Sequence, residues 1–310
     1  MKMKDEITIV TAYFDINRGT MSGFNRGNSV YLSYFEFWAR IKNKIVVFSD
    51  SKTIEEVKKI REKYGLLDKT EVVIIDNYLD IDKELYFSIK SAMDNSFLLD
   101  FHLQRNIPEA ISAKYNYIMA LKSWCCNEAV DRGLASGMIA WLDFGFNYGG
   151  RFYKKTEDFD FLWKYKFDDK INLLQVNDFD NCPPFEIIRR NNSYIQGGEI
   201  VAPDYLWREL WKLVRENMFY LNRCGLADDD QLLYLMAYYE KPDIFKLHKC
   251  EWLGLFKHFS NHHFEFEPPK PRKIYNFLYK CKHLTEFLII RRLVYCIRTF
   301  VNLQKSGFKK

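Results

Sequence analysis

The 310-residue sequence has no Gly-x-x-x-x-Gly-Lys-Ser/Thr loop, so it carries no phosphate cradle of the P-loop kind. It has no Gly-x-Gly-x-x-Gly after its first strand, which argues against dinucleotide binding, and no Gly-x-Ser-x-Gly, which argues against an α/β-hydrolase. No apolar run approaches the roughly 18 residues that span a bilayer. The charged opening, Met1 to Glu6, leaves only Ile7 to Val10 as an apolar stretch, too short for a signal-peptide core, and a cytoplasmic location is expected. Seven cysteines are scattered without a Cys-x-x-Cys, which reads as reduced thiols instead of a disulfide framework. There is no internal repeat and no low-complexity tract.

The chain does have an ordinary globular balance, 48% apolar and 28% charged, with 53 aromatic residues. Its charge is uneven. Of 46 bases and 41 acids, the segment Lys270 to Lys310 holds 11 bases and one acid, Glu286, leaving 35 bases and 40 acids for the other 269 residues. The body is therefore mildly acidic, and nucleic acid is not an expected partner. Pro268, Pro269 and Pro271 punctuate the break. The expected organisation is a catalytic domain over 1–267 and a tail over 268–310. From Ile274 the tail's apolar residues fall at helical spacings, with Arg291, Arg298 and Lys305 seven apart. A basic amphipathic helix of this kind suits an anionic membrane surface, the alternatives being a docked helical hairpin or a dimer contact.

Within the body, β-rich runs alternate with helical patterns. Strands are expected at Ile7–Val10, Lys44–Phe48, Glu71–Ile75, Met138–Leu142, Ile171–Val176, Ile195–Ala202 and Asp243–Leu247. Helices are expected at 53–64, with Thr53 as cap, and at 112–132, 204–218 and 228–240. Strands apolar at nearly every position are buried on both faces, which implies an α/β fold with a largely parallel sheet flanked by helices. Sites in such sheets lie at the carboxyl ends of the strands. Those ends carry Thr11, Ala12 and Tyr13; Asp143 and Gly145; and His248, with Gly197–Gly198 and the triplet Asp228, Asp229, Asp230 followed by Gln231 at other element ends. A carboxylate at 143 is suited to a divalent cation that also touches a diphosphate, or else simply opens a turn. The triplet either caps a helix or binds a cation or sugar hydroxyls. Gly197–Gly198 is either a bulge or a close approach to a sugar. His248 is either a core histidine or a metal ligand. Arg18, Arg26, Lys114 and Lys122 are candidate cations for a departing diphosphate. His258, His262 and His263 near Cys250 lack the glutamate of a zinc-protease helix.

Four strings carry a family resemblance: Ile7-Thr-Ile-Val-Thr-Ala-Tyr-Phe-Asp15, Tyr34–Ala39 with Phe35 and Trp38, Trp141-Leu-Asp-Phe-Gly145, and Gln196-Gly-Gly198 followed by Trp207. With Asp228-Asp-Asp-Gln231 they make the chain from Ile7 to Lys257 resemble the WlaTC/HtrL (HtrL/YibB) family, bacterial proteins associated with surface-glycan gene clusters. The resemblance implies a GT-A-like (Rossmann-related) glycosyltransferase. It would move a sugar from a nucleotide-diphosphate sugar to a lipid-linked or surface glycan, such as a lipopolysaccharide or lipooligosaccharide core or a capsule, at the inner membrane. It implies donor binding by Thr11, Ala12, Tyr13, Arg18, Arg26, Lys122, Asp143, Gly145, Gln196, Gly197, Gly198 and Gln231, and catalysis by Asp229 or Asp230. It also implies a Mn2+ or Mg2+ ion shared by Asp143 and His248. The second carboxylate of the usual Asp-x-Asp is replaced by Gly145. Rival readings are a non-catalytic nucleotide-sugar or glycan binder, and a sugar-nucleotide pyrophosphorylase, which would need a Gly-rich basic loop after the first strand.

Overall fold

The computed structural model describes residues 6–20 and 26–268; the tail reading, a helix on a membrane surface, lies outside these residues. Among the described residues seven strands form one sheet: β1 (Thr8–Tyr13), β2 (Ile45–Ser49), β3 (Thr70–Ile74), β4 (Met138–Leu142), β5 (Ile171–Gln175), β6 (Ile195–Pro203) and β7 (Phe245–Lys249). Among the described residues ten α-helices accompany them. They are α1 (Asn28–Trp38), α2 (Ser51–Lys63), α3 (Lys83–Met93), α4 (Ser96–Phe101), α5 (Pro108–Ile111), α6 (Ala113–Asp131), α7 (Pro184–Arg190), α8 (Trp207–Arg223), α9 (Asp230–Glu240) and α10 (Leu255–Phe259).

The strand order is β3-β2-β1-β4-β6-β5-β7. The mixed α/β architecture and mostly parallel sheet match expectation. One strand departs from it: β6 runs antiparallel to both β4 and β5. Because both neighbours of β6 run opposite to it, β4 and β5 remain parallel to each other, and β7 is parallel to β5. Their carboxyl ends therefore share one edge of the sheet.

The near-continuous apolar strands arise because both faces are covered. In β2, Val46 and Phe48 join one core with α6 and α8 residues, while Ile45 and Val47 join the opposite core with α1 and α2 residues. In β4, Ile139 and Trp141 face the first core, and Met138, Ala140 and Leu142 the second. Period-two alternation sends successive side chains to opposite faces, so burial on both sides demands apolarity at every position. Helix α2 begins earlier than the Thr53 cap implies. Asp50 at the end of β2 is the cap, its Oδ1 accepting from Thr53 N at 2.9 Å. Among the described residues no helix is long and apolar enough to cross a membrane.

Candidate functional site

The site is built around a lysine that burial alone would forbid. Helix α6 packs against the sheet and against α8, and Lys122 lies in its middle with its side chain only 4% exposed. A lone buried ammonium is expensive unless paired and hydrogen-bonded. Lys122 Nζ meets Asp143 Oδ1 at 2.9 Å, Asp230 Oδ2 at 2.8 Å and the Gly197 carbonyl at 3.2 Å. Two carboxylates and a carbonyl thus lie within reach of the ammonium. Burial works against the charge, but Asp143 and Asp230 more than offset it and hold the ammonium's pKa above its ordinary value.

Each partner arrives by a different element. Asp143 follows β4 directly. Its backbone N donates to Gly198 O at 3.0 Å, and Trp141, two residues back on the same face, donates Nε1 to Oδ1 at 2.8 Å. Asp229 caps α9, accepting from Gln231 N at 3.0 Å, which places Asp230 at the first helical position. The glycine pair of β6 explains how two carboxylates crowd one strand. A Cβ on Gly197 would stand 2.0 Å from Asp230 Oδ2, and one on Gly198 would stand 3.1 Å from Asp143 Oδ2. Position 197 therefore needs glycine, to admit a carboxylate of this same chain.

A cavity opens at Asp143, lined also by Ala12, Tyr13, Arg18, Arg26, Lys122 and Gly145. Seven of the sequence-chosen residues thus meet in one place. Arg18 donates to the Tyr31 hydroxyl at 2.6 Å and lies 5.1 Å from the Tyr115 ring centre. Arg26 lies 5.1 Å from the ring centre of Tyr148. At these distances the rings attract the two guanidinium charges at the cavity wall.

Other expectations need correction. Asp229 and Asp230 do not line this cavity; they are 5% and 1% exposed and sit behind Lys122, through which Asp230 reaches the site. Thr11 is fully buried on β1, away from the lining. Gln196 accepts from Leu253 N at 2.9 Å and donates to Glu199 at 2.6 Å, so it braces a loop. Gln231 folds back on Asp229. Lys114 does not line the cavity.

His248 and Asp143 are not brought together. His248 lies on β7, bonded to Asn172 Oδ1 at 2.8 Å and packed on Phe167 and Phe259. Between β4 and β7 stand β6 and β5, so the separation is three strand spacings, roughly 14 Å. These two residues do not fit one cation. Near Asp143, the Lys122 ammonium already occupies the space between the two carboxylates. Among the described residues no group of three or more His, Cys, Asp or Glu is placed to hold an ion. His258 pairs with Glu251 at 2.6 Å and His262 stacks on Phe161, so the late histidines form no cluster.

The sequence reading missed Glu109. It follows Pro108 in α5 and interacts electrostatically with Arg18, Tyr115 and the α9 acids. Burial raises its carboxyl pKa, raises Asp228 to about 7, and raises Asp229 and Asp230 as well, with Lys122 opposing the shift at Asp230. A Pro-Glu pair starting a four-residue helix is too common a cap to mark a site.

Residues 5–261 match the family described as "Bacterial protein of unknown function (HtrL_YibB)". Protein HtrL of Escherichia coli (strain K12) is 32% identical over 282 residues, spanning 84% of this chain and 94% of the relative. Among solved structures, mouse xyloside xylosyltransferase 1 overlaps 79% of this chain and 86% of its own, at 13% identity and TM-score 0.40. The PaToxG glycosyltransferase overlaps 76% of this chain and 70% of its own, at 12% identity and TM-score 0.34. Likeness of that degree decides nothing about activity. Match and identity together make the chain a member of the HtrL/YibB family.

Proposed function

We propose that the protein is a GT-A-like glycosyltransferase that moves a sugar from a nucleotide-diphosphate sugar to a glycan hydroxyl. The observation that carries this is Asp143 at the carboxyl end of β4, locked by Lys122 and Trp141 in a cavity walled by Arg18 and Arg26. The cavity holds about 140 Å³, small beside the roughly 300–1,000 Å³ of small-molecule sites, so only part of a nucleotide-sugar would lie inside it.

In transfer, the anomeric C–O bond breaks and its electron pair leaves on the diphosphate. A bond forms from the acceptor oxygen to the anomeric carbon, and the hydroxyl proton is released. Arg18 and Arg26 offset the negative charge gathering on the leaving group. Asp143 Oδ1 is occupied by Lys122 and Trp141, which presents Oδ2 to a substrate hydroxyl. Asp230 is a positioning residue: through Lys122 it fixes where Asp143 points. Asp143 would hold a divalent cation that offsets charge on the departing diphosphate; this stands as a separate proposal, tested by adding manganese or a chelator. So do a surface-glycan acceptor of the lipopolysaccharide or capsule kind and a cytoplasmic, membrane-associated setting.

The test is a thermal-shift screen against nucleotide-sugars, with and without manganese, followed by turnover of whichever one stabilises the fold. Asp143→Asn should keep the fold and lower turnover roughly 100-fold or more. Full turnover by that variant, or no nucleotide-sugar raising the melting temperature, overturns the proposal. Binding without transfer or hydrolysis would instead favour a non-catalytic binder.

A further inference from the structure

A second depression opens on the sheet edge that carries Asp143. The chain leaving β5, the chain entering β6 and the chain leaving β7 border an open groove of about 760 Å³, within the roughly 300–1,000 Å³ range of small-molecule sites. Asn177, Asp178, Asp180, Asn192, Ser193 and Trp252 line it.

The lining selects a chemistry. Amides donate and accept, carboxylates accept, and a serine hydroxyl does both. No lysine or arginine is among the lining residues, and the nearby Lys249 is already bound to Asp178 at 2.6 Å. Two carboxylates without a spare cation disfavour phosphorylated or carboxylated ligands. A wall this polar disfavours an apolar one. What it matches is a ring with a hydroxyl-bearing edge and one C–H face, the face lying on the Trp252 indole. The wall is also preset. Asn177 Nδ2 donates to Ser193 O at 2.7 Å, and Asp180 accepts from the Tyr194 hydroxyl and, at 3.1 Å, from Cys182 N. Side chains already held lose little freedom on binding.

The groove adjoins the Asp143 cavity through one short segment. Trp252 lines the groove and Leu253 lines the cavity. The Trp252 side chain also interacts electrostatically with Tyr148 of the cavity wall. Strands β4 and β5 are separated only by β6, two spacings or roughly 10 Å, a step of one or two sugar rings.

We propose that this groove binds an uncharged stretch of glycan, the acceptor, whose end sugar reaches towards Asp143. Its role as acceptor site rests on the transferase reading; the glycan binding does not.

The experiment applies the labelled full-length protein to immobilised neutral oligosaccharides and to phosphorylated and carboxylated ones. Retention is expected on neutral glycans, at least tenfold weaker on the anionic ones, and at least tenfold weaker for Trp252→Ala and for Asn192→Ala. Circular dichroism confirms the fold of each variant, and Asn192→Ala should keep the wild-type thermal shift with nucleotide-sugars. No retention on neutral glycans, a preference for anionic ones, or retention unchanged in both variants overturns the inference. Glycan retention without any nucleotide-sugar shift would overturn the transferase reading and leave the groove standing. The reverse result would remove the groove and leave the transferase reading.

Discussion

Lys122 holds two acids that come from different elements, and its removal distinguishes a counter-ion from a spectator. Lys122→Met fills the same volume but strands Asp230 beside Asp143 without a cation. Breaking one side of a buried pair typically costs roughly 3–5 kcal/mol, and a drop of that size is expected in chemical denaturation. A loss below about 1 kcal/mol would mean that Asp230 simply takes up a proton. The acids behind it predict a pH dependence. Burial holds the Asp228 carboxyl at about 7, against an ordinary value of 3.8. Between those values the unfolded chain has released a proton that the folded chain retains, so stability falls as pH rises from about 4 to about 7. Asp228→Asn removes that contribution, and its melting temperature should fall less than the wild type's between pH 4.5 and 7.5. Parallel melting profiles would refute this. Asp143 was legible because a polar group at a strand end stands out against an apolar run, whereas Arg18, Arg26 and Lys122 were legible only as cations that could face a diphosphate. The retreat of Asp229 and Asp230 from the cavity was not legible, since burial behind a lysine 107 or more residues away leaves no local trace.

At the scale of elements, the strands were readable because their signal is local. All seven expected runs became strands, with ends shifted by at most three residues and Met138–Leu142 matched at both. The helices read less well. Helix α1, with Phe35 and Trp38 buried, and α3, with Leu85, Ile89 and Ala92 buried, were not called from periodicity. In α1 the apolar residues Val30, Tyr31, Leu32, Tyr34, Phe35, Phe37 and Trp38 come nearly one after another, so no single helical face stands out in its sequence. The start of α2 shows a different limit, because Asp50 and Thr53 are both good caps and only the backbone path decides between them. Asp50→Ala should cost about 1 kcal/mol, while Thr53→Ala, which keeps the backbone bond to Asp50, should cost less. Equal losses in urea denaturation would return the cap to Thr53.

For the whole molecule, the uneven charge makes a prediction that stands apart from the site. A chain lacking 270–310 should lose binding to vesicles of anionic lipid while keeping nucleotide-sugar stabilisation, each basic residue near the surface contributing about 1 kcal/mol. Unchanged co-sedimentation with vesicles would count against a membrane role. The sequence by itself determined the α/β class, the doubly buried strands and the edge at which polar residues collect, because hydrophobic periodicity acts over a few residues. Only the tertiary structure decided that β6 turns antiparallel, that His248 lies roughly 14 Å from Asp143, and that one ammonium joins residues 143 and 230. Those outcomes depend on strand order and on desolvated charge finding charge across the chain, and neither is written in any short stretch of residues.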